Sequence, residues 1–180
     1  MSFQPPVIIP AAAIADRVDE LARRISHDYT GVEDVLLVGV LRGSYMFLAD
    51  LTRRLTVPCS VDFISLSQYD RGNLPSGSVR LAMDLRVDIK GRHVILAEDI
   101  VNSGCTLAYL VKIFELREPA SLKTCVLVRK RGHEHVAVRL DYVGFEIPDR
   151  WVVGYGLDYD NKYRNFPYIG VVHGPDTDWR

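Results

Sequence analysis

The segment Val35 to Leu41 reads VLLVGVL, an uninterrupted apolar run too short for a helix, and such a composition suits a strand covered on both faces. Arg42-Gly43-Ser44 follows, then helical spacing from Tyr45 to Leu55, so the chain reads there as strand, turn, helix. The same order returns downstream. His93 to Ala97 (HVILA) is a second buried run, after which Leu107, Leu110, Val111 and Phe114 take up helical spacing until Pro119, and Leu122 to Val128 reads as a further strand. Upstream, Pro10 sits well as a first helical residue, and Ile14, Val18, Leu21, Ala22 and Ile25 form one face of an amphipathic helix. Val61 to Leu66 and Val79 to Met83 read as strands on either side of Ser67 to Ser78, a polar stretch without either period whose length predicts a mobile loop. Alternating strands and helices joined by short turns imply right-handed crossovers, so the expected class is α/β with a mainly parallel sheet flanked by helices. Beyond about residue 130 the pattern changes to Tyr142 to Phe145, Trp151 to Tyr155 and Tyr168 to Val172, punctuated by Pro148, Gly154, Gly156 and Pro167. These pieces predict a small β-rich lobe over the sheet edge.

With 180 residues and no internal repeat, low-complexity tract or Gly/Ser linker, one domain over residues 1–180 is expected. A chain that is 48% apolar and 25% charged is neither collagen, a disordered tail nor a disulfide-stapled miniature. Its net charge of -1 gives no overall pull toward nucleic acid or an anionic membrane. No apolar stretch reaches the ~18 to 20 residues of a membrane span. Val7 to Ala15 is broken by Pro10 and has no basic residue ahead of it, so it reads poorly as a signal peptide and the cytoplasm is the expected compartment. Cys59, Cys105 and Cys125 are odd in number and lack a C-x-x-C pair, which fits reduced thiols, with Cys59 and Cys125 expected as buried apolar side chains. His133 and His135, with Glu134 between them and no third spaced ligand, read as a turn rather than a metal site.

The segment that carries chemistry is VILAEDIVNSGCTL, Val94 to Leu107: a buried strand ending in two acids, a Gly-containing turn, then a helix. In an open α/β sheet, ligands bind at the carboxyl ends of strands, where helix N-termini offer free N–H groups to anions. A phosphate fits there. Ser103 and Thr106 add hydroxyl donors, Gly104 permits close backbone approach, and Glu98 with Asp99 can bond sugar hydroxyls or hold a hydrated cation. Mixtures of Asp, Ser and Gly also simply cap helices. Two adjacent acids at a buried strand end are nevertheless a poor choice for packing alone. The spacing matches neither a Walker loop nor a G-x-G-x-x-G fingerprint.

This segment resembles the phosphoribosyl-diphosphate motif of the type I phosphoribosyltransferases. GVLRGSYMFLADL (Gly39 to Leu51), VDFISLSQYD (Val61 to Asp70) and DYVGFEIPDRWVVGYGLDYDNKYRN (Asp141 to Asn165) resemble the hypoxanthine-guanine branch in order and spacing. The resemblance implies that family's fold, with a core at about 35–130 and a hood built from the N-terminal segment and about 131–180. It also implies purine salvage: transfer of the 5-phosphoribosyl group from phosphoribosyl diphosphate to N9 of a 6-oxopurine, with Mg2+, in a homodimer or homotetramer. Glu98 and Asp99 then match the acidic pair at the ribose hydroxyls and metal, and Asn102, Ser103, Gly104, Cys105 and Thr106 the 5'-phosphate cradle. Leu41, Arg42 and Gly43 match the diphosphate loop, which in the family often holds a cis peptide before its second residue. Lys130 matches the lysine that donates to the exocyclic oxygen, Trp151 the aromatic that stacks on the base, and the Val152 carbonyl an acceptor for a ring N–H or the 2-amino group. Asp158 matches a magnesium ligand and Arg164 a diphosphate contact. By periodicity alone Trp151 would be core, and Asp158 and Arg164 solvated charges.

Two positions depart from the pattern. The family usually has Asp where this chain has Asn102, so its amide can accept a hydrogen bond at purine N7 but cannot exchange a proton. Gln68 replaces the usual Ser beside a retained Tyr69 in the loop that closes over the diphosphate. Three readings follow: an introduced substitution at Asn102, a diverged transferase with another base, or a regulator that binds purine nucleotide or phosphoribosyl diphosphate without turnover.

Overall fold

The structure is a computed structural model that describes residues 4–68, 79–132 and 136–172. Its elements run β1 (Val7–Ile9), α1 (Ala11–Asp28), β2 (Val35–Leu41), α2 (Tyr45–Thr52), β3 (Cys59–Gln68) and β4 (Val79–Met83), followed by β5 (His93–Val101), α3 (Cys105–Glu115), β6 (Ser121–Lys130), β7 (Tyr142–Ile147), β8 (Trp151–Val153) and β9 (Ile169–Val172). Six strands form the main sheet in the order β4-β3-β2-β5-β6-β7, parallel except for β4. The small sheet, β1-β9-β8, is antiparallel. The α/β class and its mainly parallel sheet are as the sequence predicts.

Alternation along the central strands sorts the core into two layers. Val35 and Leu37 of β2, with Ile95 and Ala97 of β5, pack beneath Ile14, Val18, Leu21 and Ile25 of α1 and Phe47, Leu48 and Leu51 of α2. Leu36, Val38 and Val40, with Val94 and Leu96, face Leu107, Leu110 and Phe114 of α3 on the other side. Both faces of β2 and β5 are therefore dry, which is why their sequences read as continuous apolar runs.

The structure departs from the sequence reading in four places. β5 does not stop at Ala97; pairing of Glu98 with Val126, Ile100 with Val128 and Val101 with Arg129 carries the strand through both acids. β7 belongs to the main sheet rather than the small lobe, because β6 leaves an open edge on which Val126, Val128 and Lys130 take Val143, Phe145 and Ile147 in parallel register. α2 ends at Thr52, whose hydroxyl donates to the Leu48 carbonyl at 2.8 Å. Cys125 is buried as expected, but Cys59 is half-buried and Cys105 exposed. Gln68 closes β3 opposite Val79, while Tyr69 to Ser78 and His133 to His135 lie outside the described residues. Among the described residues no helix is long and apolar enough to cross a membrane.

Candidate active site

The carboxyl end of the main sheet gathers most of the chemistry. β5 leaves Val101 and turns through Asn102-Ser103-Gly104 into α3, with Gly104 at φ 80° as the N-cap. No side chain caps the helix by a hydrogen bond at that residue; the Cys105 N–H makes only a long 3.4 Å contact to Ser103 Oγ. The positive end of the helix is thus open to an anion. The turn is braced from behind, since the Val136 N–H donates to the Ser103 carbonyl at 3.1 Å. A cavity of about 150 Å³ lies over it, lined by Glu98, Asn102, Ser103, Gly104 and Thr106 among others.

Glu98 and Asp99 are each 8% exposed, and Glu98 Oε2 is buried without a hydrogen-bond partner. Burial, reinforced by the adjacent Asp99 charge, pushes the Glu98 carboxyl well above the usual carboxylate range. Burial also lifts Asp99, to about 6, against the backbone N–H groups of Ile100 and Asp99 and the positive charge of Arg164. Gly43 follows the cis Leu41–Arg42 peptide, and the space its side chain would fill is already taken by the Asp99 carboxylate. Arg42 itself is exposed.

β6 and β8 contribute the opposite wall. A second cavity, of about 180 Å³, is lined by Asp99, Asn102, Lys130, Trp151, Val152 and Asp158 among others. Trp151 is 52% exposed rather than buried, and the Lys130 ammonium stands 5.7 Å from its ring centroid. Arg164 bonds the Gly156 carbonyl at 2.6 Å and pairs with Asp158 at 2.7 Å, while its buried Nε has no partner. Asp158 also accepts the Asn161 N–H at 2.7 Å. The turn thus brings Glu98 together with Asn102, Ser103, Gly104 and Thr106, and Asn102 joins them to the wall of Asp99, Lys130, Trp151, Val152 and Asp158, whereas Cys105 lines neither cavity.

Residues 8–160 match the model of the phosphoribosyl transferase domain. The chain belongs to that family. A hypoxanthine phosphoribosyltransferase of Salmonella typhimurium is 46% identical over 173 residues, covering 96% of this chain and 97% of the relative. A hypoxanthine-guanine phosphoribosyltransferase from Bacillus anthracis superposes with a TM-score of 0.87 at 41% identity, covering 92% of this chain and 97% of the other. The asparagine mutant from an analysis of an invariant aspartic acid in HPRTs superposes with a TM-score of 0.87 at 44% identity, over 93% of this chain and 92% of that one.

In this phosphoribosyltransferase the oxygens at hand suit a cation that leans on substrate. Among the described residues no three His, Cys, Asp or Glu side chains converge as a metal cage. The unpartnered Glu98 Oε2 and the remaining lone pairs of Asp99 and Asp158 instead fit Mg2+, which keeps several waters and takes one or two carboxylates plus phosphate. Two features escape a reading of local pattern. Gly156, at φ 99°, lies so close to the Gly43 carbonyl that any side chain there would collide with it, and Asp149 accepts a 3.1 Å hydrogen bond from Lys130. Both are contacts between distant segments, and neither residue type marks itself.

The acid pair has a measurable cost. Folded carboxyls held above their unfolded values of about 4 bind more protons than the open chain, so their contribution is full below pH ~4 and is lost as pH rises, for Asp99 through about 6. Glu98→Gln is therefore expected to raise Tm at pH 7.5 by about 3 °C, the effect of roughly 1 kcal/mol in a chain of this size. The gain should shrink toward pH 4 in calorimetric scans; a Tm difference independent of pH would contradict the assignment.

Proposed function

We propose that this protein transfers the 5-phosphoribosyl group of phosphoribosyl diphosphate to N9 of hypoxanthine or guanine, releasing diphosphate. The observation that carries this reading is the adjacency of the two cavities through Asn102: one faces an open helix N-terminus, the other a half-exposed Trp beside a buried Lys. Anion site and planar-base site are then one groove, as joining a base to a phosphorylated sugar requires.

In this reading the 5'-phosphate sits on the N–H groups and hydroxyls of residues 102–106, and Glu98 and Asp99 accept the ribose hydroxyls. Their negative face also favours the positive charge that develops at the anomeric carbon as the carbon–oxygen bond to diphosphate breaks. Residues 41–43 and Arg164 hold the diphosphate. Trp151 stacks on the base, Lys130 donates to its exocyclic oxygen, and the Val152 carbonyl accepts from the ring edge. Asp158 on one wall, or the Glu98–Asp99 pair on the other, would offer one or two carboxylates to hydrated Mg2+ brought by the diphosphate, which when bound offsets the leaving group's charge. Free Cys59, Cys105 and Cys125 favour a reducing compartment, the cytoplasm.

The test is formation of IMP, GMP and XMP from phosphoribosyl diphosphate, Mg2+ and each base, with GMP binding measured in parallel by calorimetry. Base-dependent release of diphosphate is the expected result. Binding of GMP without turnover, in this chain and in Asn102→Asp alike, would leave a nucleotide-binding regulator instead.

A further inference from the structure

Lys130 is the last residue of β6, and its side chain is only 9% exposed. An enclosed ammonium carries three donors and no acceptor, so its direction is set by whichever acceptors surround it. One is fixed: Lys130 Nζ donates to Asp149 Oδ1 at 3.1 Å. The chain geometry explains how they meet. Ile147, the end of β7, lies in register with Lys130, and the turn through Pro148 then carries Asp149 back across the lysine before Trp151 opens β8. The carboxylate is 44% exposed and outside the lining of the 180 Å³ cavity, whereas the ammonium stands over the Trp151 ring, 5.7 Å from the centroid, and both Lys130 and Trp151 line that cavity.

We propose that Asp149 is a positioning residue for base recognition, holding the Lys130 ammonium so that a donor faces the exocyclic group at C6 of the purine. The inference rests on the base-site reading of Lys130 given above. A lysine has a flexible four-carbon stem, and without an anchor its charged head moves to water or to another carboxylate. Anchored, it presents a donor to a 6-oxo group and opposes the amino donors of a 6-aminopurine. A site built to donate rejects a ligand that cannot accept. Asp149 therefore sets both the affinity for 6-oxopurines and the margin over 6-aminopurines, without touching the base.

Calorimetric titration with IMP, AMP and ribose 5-phosphate separates the contributions without requiring turnover. Asp149→Ala is expected to weaken IMP about tenfold, the loss of one charge-assisted hydrogen bond. It should leave ribose 5-phosphate within twofold and narrow the ratio of AMP to IMP dissociation constants. Asp149→Asn, which keeps an acceptor in place, should recover most of the IMP affinity. In a Lys130→Met background, Asp149→Ala should add nothing. Equal weakening of IMP and ribose 5-phosphate, or an undiminished effect in the Lys130→Met background, would assign Asp149 a merely structural role and overturn the proposal. Unchanged IMP binding in Asp149→Ala, with Lys130→Met weakened, would overturn it while sparing the base-site reading. Unchanged binding in Lys130→Met would overturn both.

Discussion

Asn102→Asp is expected to raise kcat for nucleotide formation by about 10²- to 10⁴-fold, the usual worth of a positioned general acid or base. Asn102 is the first residue after β5 and lines both the cavity over the turn and the Lys130–Trp151 cavity, so under the proposed function its side chain stands where base and sugar meet. Its amide accepts a hydrogen bond from a purine ring N–H, which preserves binding, but it cannot take or return the proton. A carboxylate of the same length can do both. The gain should therefore appear in kcat while KM for the base changes little, because the hydrogen-bond acceptor is present in both chains. Parallel assays of parent and variant with hypoxanthine, guanine and xanthine decide it. Equal kcat values would remove proton transfer at residue 102 from the mechanism.

The second large effect is expected at Gly43. An added methyl group there meets the Asp99 carboxylate on one side, and on the other the residue's own carbonyl fills the space that a side chain on Gly156 would need. The methyl has nowhere to go. Gly43→Ala must displace either the acid assigned to the ribose or the loop assigned to the diphosphate, and a displacement near 1 Å in a reactive site costs on the order of 10²-fold. We expect kcat/KM for phosphoribosyl diphosphate to fall by about that factor or more, with a folded circular-dichroism spectrum retained. Activity within fivefold of the parent would mean that the three-way contact is slack.

What could be read from the sequence follows from which physical signals are local. VLLVGVL and HVILA announce strands with no wet face, and two acids directly after an apolar strand announce a site, because neither arrangement suits anything else well. β7 could not be placed the same way. Its sequence, YVGFEI, alternates like a lobe strand, and only the open edge of β6 determines that it joins the main sheet. Trp151 illustrates the opposite failure: its spacing suggests core, but it is half exposed beside a cavity, a setting that depends on residues 20 to 50 positions away. Asp149 reads as an ordinary solvated acid until the turn after β7 folds it onto Lys130. Family likeness supplied the assignments for Lys130, Asp158 and Arg164 that periodicity did not.

The pairing of the small sheet also fixes the order in which the two walls of the groove can be completed. β8, which carries Trp151 and Val152, has β9 as its sheet neighbour, and β9 is bordered on its other side by β1. The first and last strands described in the chain are thus laid side by side. While the protein is being synthesised, β5 has both sheet neighbours, β2 and β6, once Lys130 has been made, and Val136 then braces the turn after it, but β8 has no partner until residues 169–172 arrive. A nascent chain therefore completes the strand that carries Glu98 and Asp99 well before the strand that carries Trp151 and Val152 gains its neighbour.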